Sequence, residues 1–265
     1  MPEVLRLDEN APLALGAPAK GIQRYRLEGG EVGWFKPADR KLNSIAKVSG
    51  MGMLHGGSAQ STEAHAFLPE REVAASEVAA LLIPHLAVRS QLATKGMKRG
   101  VFMEHVQGTM ATQHVDFDTM KLDEDLLRAI KPQLADLQAF DYLIGNVDRH
   151  VENFMVSEAR PFKVRAIDND LSFPAVAVAE LARIQDSKFE GLPNGYTVVV
   201  AERIERMAEG TLEALLRDVM ASAPRLDAVV EQALSRLRDL KRDVAGKQGR
   251  AASPRTPSNY TRLVF

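Results

Sequence analysis

The sequence predicts an α+β fold with a small β-rich N-terminal half and a mainly helical C-terminal half. Two short runs of β-favouring residues, 22–27 and 32–35, flank the turn sequence of residues 28–31, Glu-Gly-Gly-Glu, which is typical of a β-hairpin. From Leu122 onward, apolar residues recur at helical spacing instead. This change of period along one chain places strands and helices in separate halves.

A single helix is predicted among the strands of the N-terminal half. Pro69 suits the first helical position, acidic residues follow it, and Pro84 ends the helix. Two further strands are predicted over 85–92 and 100–106. Residues 40–68 mix Gly, Ser, Met and His without a stable period, and we expect a mobile insertion there.

The C-terminal half begins with a helix over residues 126–143, in which Pro132 predicts a bend or an early end. Two short strands are expected over 154–156 and 164–167. Further helices are predicted over about 175–187, 198–207, 210–221 and 225–245, with Gly246 placed to end the last one. Residues 247–265 are rich in polar residues, Gly and Pro, and we expect a flexible tail.

Composition limits the classes of function. The 265 residues are 45% hydrophobic and 26% charged, which suits a soluble protein with a sizeable core. The formal net charge of −1 argues against broad nucleic-acid binding, and the lack of cysteine excludes thiolate metal sites. No apolar run is long enough to predict a membrane span, and no secretory signal is visible. We therefore expect a cytoplasmic protein, with delivery to another cell left open.

The chemistry is concentrated in one stretch. Asp148 and Asn153 stand five residues apart in a predicted loop after a helix, and Asp168 follows directly after a short apolar strand. That strand and the one before it would bring Asp168 close to Asn153, so that both could bind one metal ion. Magnesium prefers such oxygen ligands. Taken singly, each residue also fits a surface ion pair or a turn cap, and only the joint pattern predicts a nucleotide-phosphate site.

Residues 140–154, FDYLIGNVDRHVENF, and 166–174, AIDNDLSFP, resemble the phosphatidylinositol 3-/4-kinase-like superfamily. Within it they are similar to the atypical branch of type II phosphatidylinositol 4-kinases, actin-fragmin kinase and HipA-type kinases. The resemblance is strongest over about 140–174 and weaker over about 16–110. It implies a two-lobed protein-kinase-like fold that uses ATP with Mg²⁺ or Mn²⁺. Its N-lobe would span 1–106 and its C-lobe 107–246.

The resemblance also implies roles for single residues. Asp148 would be the catalytic aspartate at the acceptor hydroxyl, and Asn153 and Asp168 would be the metal ligands. The strand that contains Trp34-Phe-Lys36-Pro37 is similar to the one that supplies the ATP-phosphate lysine, which makes Lys36 the candidate.

Other parts of the implied ATP site rest on weaker motifs. The resemblance favours Glu72 as the acidic partner of Lys36, although helical geometry leaves Glu77 open. Backbone groups of Glu104, His105 and Val106 would bind adenine. The loop over residues 16–21 could cover the phosphates with its N–H groups.

The sequence departs from ordinary protein kinases at two points. Asn146-Val147 precede Asp148 where His-Arg is usual, and Asp170 stands where a glycine is usual. Neither departure changes the expected activity, which is ATP- and Mg²⁺-dependent transfer of the γ-phosphate to a hydroxyl.

We expect the acceptor to be a Ser, Thr or Tyr of a protein, because neither a basic amphipathic helix nor a lipid-anchor signal is visible. A phosphoinositide kinase is the nearest alternative. A small-molecule acceptor, transfer of AMP and a nucleotide-binding pseudokinase that serves as an interaction module remain open.

Overall fold

The computed structural model describes residues 4–7, 22–27, 29–38, 68–116, 121–184, 187–247 and 260. The strands are β1 (Leu5–Arg6), β2 (Gln23–Arg26), β3 (Val32–Pro37), β4 (Ser90–Lys95), β5 (Lys98–Glu104), β6 (Thr109–Met110), β7 (Val115–Asp116), β8 (Lys121–Leu122), β9 (Phe154–Val156) and β10 (Val164–Ala166). The helices are α1 (Leu68–Leu82), α2 (Glu124–Ile144), α3 (Val178–Leu181), α4 (Val198–Arg206), α5 (Glu209–Val219) and α6 (Leu226–Lys247). The loop over 16–21 and the insertion predicted over 40–68 lie outside the described residues, except that α1 begins at Leu68.

A five-stranded sheet in the order β1-β4-β5-β3-β2 forms the N-terminal half. The predicted hairpin is confirmed, since β2 and β3 pair antiparallel, with Gln23 opposite Phe35. The next strand, β4, begins and ends later than predicted, and β5 begins and ends earlier than predicted. The reason is that Gly96, between them, adopts a φ of 57°. That left-handed residue makes a tight turn, so β4 and β5 pair up to Lys95 and Lys98.

Helix α1 packs between the sheet and the helical half. It contacts β4 and β5 of the sheet and α5 of the other half. Its buried positions include several alanines, which let its backbone approach both neighbours closely. The main hydrophobic core accordingly runs from the sheet residues Leu92 and Val101 through α1 into the C-terminal helices.

Helix α2 is the central element of the C-terminal half. Asp123 caps its first turn by accepting a hydrogen bond from the Leu126 N–H at 2.9 Å. Pro132 lies inside the helix and does not end it, so the prediction of an early end was wrong. Proline removes one backbone hydrogen bond, and the buried residues Ile130, Leu134 and Leu137 hold the helix on both sides of it.

The remaining helices pack around α6, which contacts α2, α4 and α5. Helix α6 continues through Gly246 to Lys247, past the predicted end. The helix predicted over about 175–187 is reduced to the single turn α3. Beyond α3 the chain leaves the helical path, because the Lys188 N–H donates to the Val147 carbonyl at 2.7 Å and draws this segment onto the loop after α2.

Two residues of the predicted tail are described. Lys247 ends α6, and Tyr260 is 1% exposed and packs in the main core. The rest of the predicted tail lies outside the described residues. Among the described residues, no helix has the length and apolar character needed to cross a membrane.

Gly145 offers a test of this packing. It ends α2 with a φ of 65°, and a Cβ there would lie 2.9 Å from Pro174 Cδ and 3.0 Å from Arg236 Cζ. We expect Gly145→Ala to lower the free energy of unfolding by about 1–3 kcal/mol in urea denaturation. Gly246→Ala is the control, since no atom lies within 4 Å of its Cβ, and it should be neutral or stabilising. Equal losses in both variants would contradict this packing.

Candidate functional site

The predicted site residues lie together at the junction of the sheet and the helical half. Lys36 comes from β3, Glu72 from α1 and Asp168 from the segment after β10. The Lys36 ammonium forms ion pairs with the carboxylates of Asp168 and Asp170, the latter at 2.7 Å. The fold thus brings Lys36 and Asp168 together although 132 positions separate them.

Lys36 is held as a buried cation. Burial alone lowers the pKa of Lys36, but the nearby carboxylates of Asp168, Asp170 and Glu72 outweigh it and raise that pKa above its ordinary value. The side chain therefore carries its charge at every pH at which the protein is folded, and it can bind an anion.

Glu72 joins α1 to the segment after Asp168. Its carboxylate accepts hydrogen bonds from the Asn169 backbone N–H at 2.7 Å and from Asn169 Nδ2 at 3.1 Å. Burial raises the pKa of Glu72 to about 7, and the charge of Lys36 opposes that rise. Glu77 is exposed on the same helix. Of the two candidates, the geometry favours Glu72 as the acidic neighbour of Lys36.

Arg149 is the organising side chain that the sequence analysis missed. It is fully buried, and Nε and Nη2 donate to the carboxylate of Asp141 at 3.0 Å and 3.1 Å. Its Nη1 donates to the carbonyls of Asn153 and Ile167, and Nη2 also donates to Asn169 Oδ1. One guanidinium therefore ties α2 to both segments that carry the predicted metal ligands.

The loop over residues 146–153 has its own internal bonds, and we call it the catalytic loop because it carries the predicted catalytic residue Asp148. Asn146 Oδ1 accepts from the Asp148 N–H at 2.9 Å, and Asn153 Nδ2 donates to the Asp148 carbonyl at 2.8 Å. The Ile167 N–H donates to the Asn153 carbonyl at 3.1 Å, which attaches the loop to the residue before Asp168. Asn146, which departs from the usual His-Arg, thus closes the turn that presents Asp148.

Asp148 retains access to solvent, with 31% of its side chain exposed. Partial burial raises the pKa of its carboxyl to about 6, and Asp168 and Asp170 add to the rise while Arg149 and Lys188 oppose it. The carboxylate is therefore mostly ionised at neutral pH yet basic enough to accept a proton.

The backbone after β10 adopts an unusual conformation. Asp168 has a φ of 59° and Phe173 one of 52°, both in the left-handed region that non-glycine residues rarely occupy. Arg71 Nη1 donates to the carbonyls of Ser172 and Phe173 at 2.6 Å and holds this segment from α1. Backbone strain of this kind is found most often where function requires it.

Asp170 belongs to the site, which the sequence analysis did not predict. It appeared there only as a departure from glycine, whereas the structure places its carboxylate on Lys36. Only its place two residues after Asp168 could have indicated this, because Lys36 is far away in sequence.

The donor set fits a divalent cation of the magnesium type. Asp168 and Asp170 act electrostatically on both Asp148 and Glu72, and both form ion pairs with Lys36. Within the described part of the chain, no group of three or more His, Cys, Asp or Glu side chains is arranged to hold a metal by itself. An asparagine and an aspartate would suffice for magnesium, which usually takes its other ligands from water and phosphate.

The segment predicted to bind adenine is largely engaged within the protein. The Glu104 N–H donates to the Arg89 carbonyl and the His105 N–H to the Val32 carbonyl, both at 2.9 Å. Glu104 also pairs through its carboxylate with Arg89 and Arg165. These bonds engage the N–H groups of Glu104 and His105 but not their carbonyl groups. Binding of adenine by backbone groups of Glu104, His105 and Val106 stays a prediction.

No protein-family model matches the chain, and a search of curated proteins also finds no match. Among solved structures, the proinflammatory kinase CtkA of Helicobacter pylori matches with a TM-score of 0.51 at 12% sequence identity. The match covers 93% of this chain and 98% of that chain. At this identity the likeness shows the fold alone. The chain has a kinase-like two-lobed α+β fold, and the predicted fold class is confirmed. The superfamily and the branch within it stay predictions.

Arg149→Met tests the buried network, because it leaves the Asp141 carboxylate without its counter-ion. We expect a loss of about 3–5 kcal/mol in the free energy of unfolding. Arg128→Met is the matched control: it breaks an ion pair with Asp125 whose two side chains are exposed, and it should cost less than about 1 kcal/mol. If urea denaturation gives similar small losses for both, Arg149 does not organise this region.

Proposed function

We propose that this protein is an ATP- and Mg²⁺-dependent kinase that transfers the γ-phosphate to a hydroxyl group of a protein. The observation that carries the proposal is the meeting of Lys36, Asp168 and the catalytic loop at one junction, although each comes from a different part of the chain. Phosphoryl transfer needs a cation for the phosphates, oxygen ligands for the metal and a carboxylate at the acceptor. The junction holds one candidate for each task.

On the nucleotide side, Lys36 would bind phosphate oxygens in place of the carboxylates of Asp168 and Asp170. Asn153 and Asp168 would hold Mg²⁺ or Mn²⁺, which when bound supplies charge neutralisation at the phosphates. The hydrogen bond from Asn153 Nδ2 to the Asp148 carbonyl orients this amide, so that its oxygen remains as the ligand atom. Asp168, with 42% of its side chain exposed, is open to such a ligand.

On the acceptor side, Asp148 would orient the hydroxyl and accept its proton as the new O–P bond forms. Its partial exposure allows an acceptor from solution to approach, and its pKa of about 6 makes it a suitable base near neutral pH. The bond between the γ-phosphorus and the bridging oxygen breaks, ADP leaves, and the proton passes from Asp148 to solvent.

A protein acceptor is favoured over a phosphoinositide for a reason of sequence. A site that acts on lipid commonly relies on a basic amphipathic helix to bring it to the lipid surface. The helices α4, α5 and α6 carry acidic and basic residues together and are not uniformly basic.

The first test is removal of the two aspartates. Asp148→Asn and Asp168→Asn should each lower phosphate transfer from labelled ATP to itself or to a protein panel by more than about 100-fold, since each removes one essential charge. Asp227→Asn should leave activity unchanged, because Asp227 lies on α6, is exposed and pairs with Arg217 of α5. Intact-mass analysis should show the addition of phosphate. Activity retained in both variants would refute the proposal, and an AMP adduct would replace it with nucleotide transfer.

The pH profile gives a second test. Because the pKa of Asp148 is raised to about 6, its proton-accepting form is lost as the pH falls below that value. We expect kcat/KM to level off above about pH 6 and to fall about tenfold per pH unit below it. In Asp170→Asn the acidic limb should move to lower pH, since the charge of Asp170 raises the pKa of Asp148. A profile that stays flat down to pH 4.5 would contradict a role for Asp148 as base.

A further inference from the structure

One tyrosine near the C-terminal end of the sequence packs in the main core. Tyr260 lies beyond the end of α6 in sequence, yet its side chain is 1% exposed. Its hydroxyl donates a hydrogen bond of 2.5 Å to Asp141 Oδ2. A buried hydroxyl with a charged partner is a specific contact, because a misplaced tyrosine would leave the polar group unsatisfied.

Asp141 is the residue on which the buried network converges. Besides the Tyr260 hydroxyl, its carboxylate accepts from Arg149 Nε and Nη2 and from Asn146 Nδ2 at 3.3 Å. Asn146 in turn holds the Asp148 N–H. Among the described hydrogen bonds, every partner of the Asp141 carboxylate except Tyr260 therefore belongs to the catalytic loop.

Tyr260 is suited to be a permanent donor. Burial and the Asp141 charge raise the pKa of Tyr260 well above its ordinary value, so the hydroxyl keeps its proton at neutral pH. Without this donor one lone pair of a buried carboxylate would be unsatisfied, and the carboxylate could turn toward its remaining partners. Arg149 would follow it, and with Arg149 the carbonyls of Asn153 and Ile167.

We propose that Tyr260 is a positioning residue, whose hydroxyl fixes the Asp141–Arg149 pair and thereby the geometry of the catalytic loop. The C-terminal segment is then a working part of the active protein. This inference rests on the proposed function, because its effect is expressed in the rate of phosphate transfer. It assigns Tyr260 no contact with either substrate.

Tyr260→Phe tests the proposal with the loss of a single oxygen atom. Small displacements of catalytic groups have large effects on rate, so we expect kcat for phosphate transfer to fall about tenfold while KM for ATP changes by less than about twofold. Hydrogen exchange should become faster at the amides of residues 146–153. A chain that ends at Lys247 should lose at least as much activity.

Tyr196→Phe is the matched control. Tyr196 also donates from its hydroxyl to a carboxylate of the same half, Asp243 Oδ2, at 2.5 Å, but neither residue contacts the catalytic loop in the described hydrogen bonds. We expect this variant to lose comparable thermal stability and to keep its kcat. The inference is overturned if Tyr260→Phe keeps its kcat within about twofold, or if the two variants lose activity in parallel with stability.

Phosphate transfer by the wild-type chain distinguishes a failure of this inference from a failure of the proposed function. If the wild-type chain transfers no phosphate while binding ATP, the proposed function fails. Hydrogen exchange at the amides of residues 146–153 then still tests whether Tyr260→Phe disturbs the catalytic loop. If the wild-type chain is active and Tyr260→Phe is equally active, only the role of Tyr260 fails.

Discussion

The fully buried guanidinium of Arg149 is the interaction on which the rest of the site depends. It binds the carboxylate of Asp141 on α2 and two main-chain carbonyls on the segments that lead to Asp148 and Asp168. A lysine could not replace it, because only the planar guanidinium offers five donors in fixed directions. Burying this charge is costly, and the carboxylate of Asp141 and the carbonyl oxygens offset that cost. These bonds attach the catalytic loop to α2.

In front of this network, acidic side chains gather near Lys36. Asp168 and Asp170 form ion pairs with Lys36 and raise the pKa of both Asp148 and Glu72. Burial is the largest cause of the raised pKa of Glu72, which is about 7. Under the proposed function, a bound metal ion would add positive charge among these carboxylates. The left-handed backbone of Asp168 adds strain that the buried bonds of Arg71 and Arg149 hold in place.

The sequence allowed the prediction of what depends on local pattern. The β2–β3 hairpin, α1 and α2 follow from turn residues, proline and apolar spacing, which act over a few residues. Asp148, Asn153 and Asp168 could be singled out because their spacing is itself the motif. Glu72 could be favoured over Glu77 only by resemblance, whereas in the structure burial separates them.

The features that were missed depend on partners far apart in sequence. Arg149 could not be singled out from the sequence, because its partners include Ile167 and Asn169, which only the fold brings near. Tyr260 stands in a stretch of loop-like composition, and both its burial and its hydrogen bond to Asp141 on α2 are long-range features. The prediction of an early helix end at Pro132 considered only the local effect of proline, which the packing of the helix overrides.

The most direct measurement is a crystal structure of the protein with a non-hydrolysable ATP analogue and Mg²⁺. The account predicts that the metal binds Asn153 and Asp168, that Lys36 contacts a phosphate oxygen, and that Arg149 keeps its bonds to Asp141 and both carbonyls. A nucleotide bound elsewhere, with Lys36 still paired to Asp168 and Asp170, would contradict it.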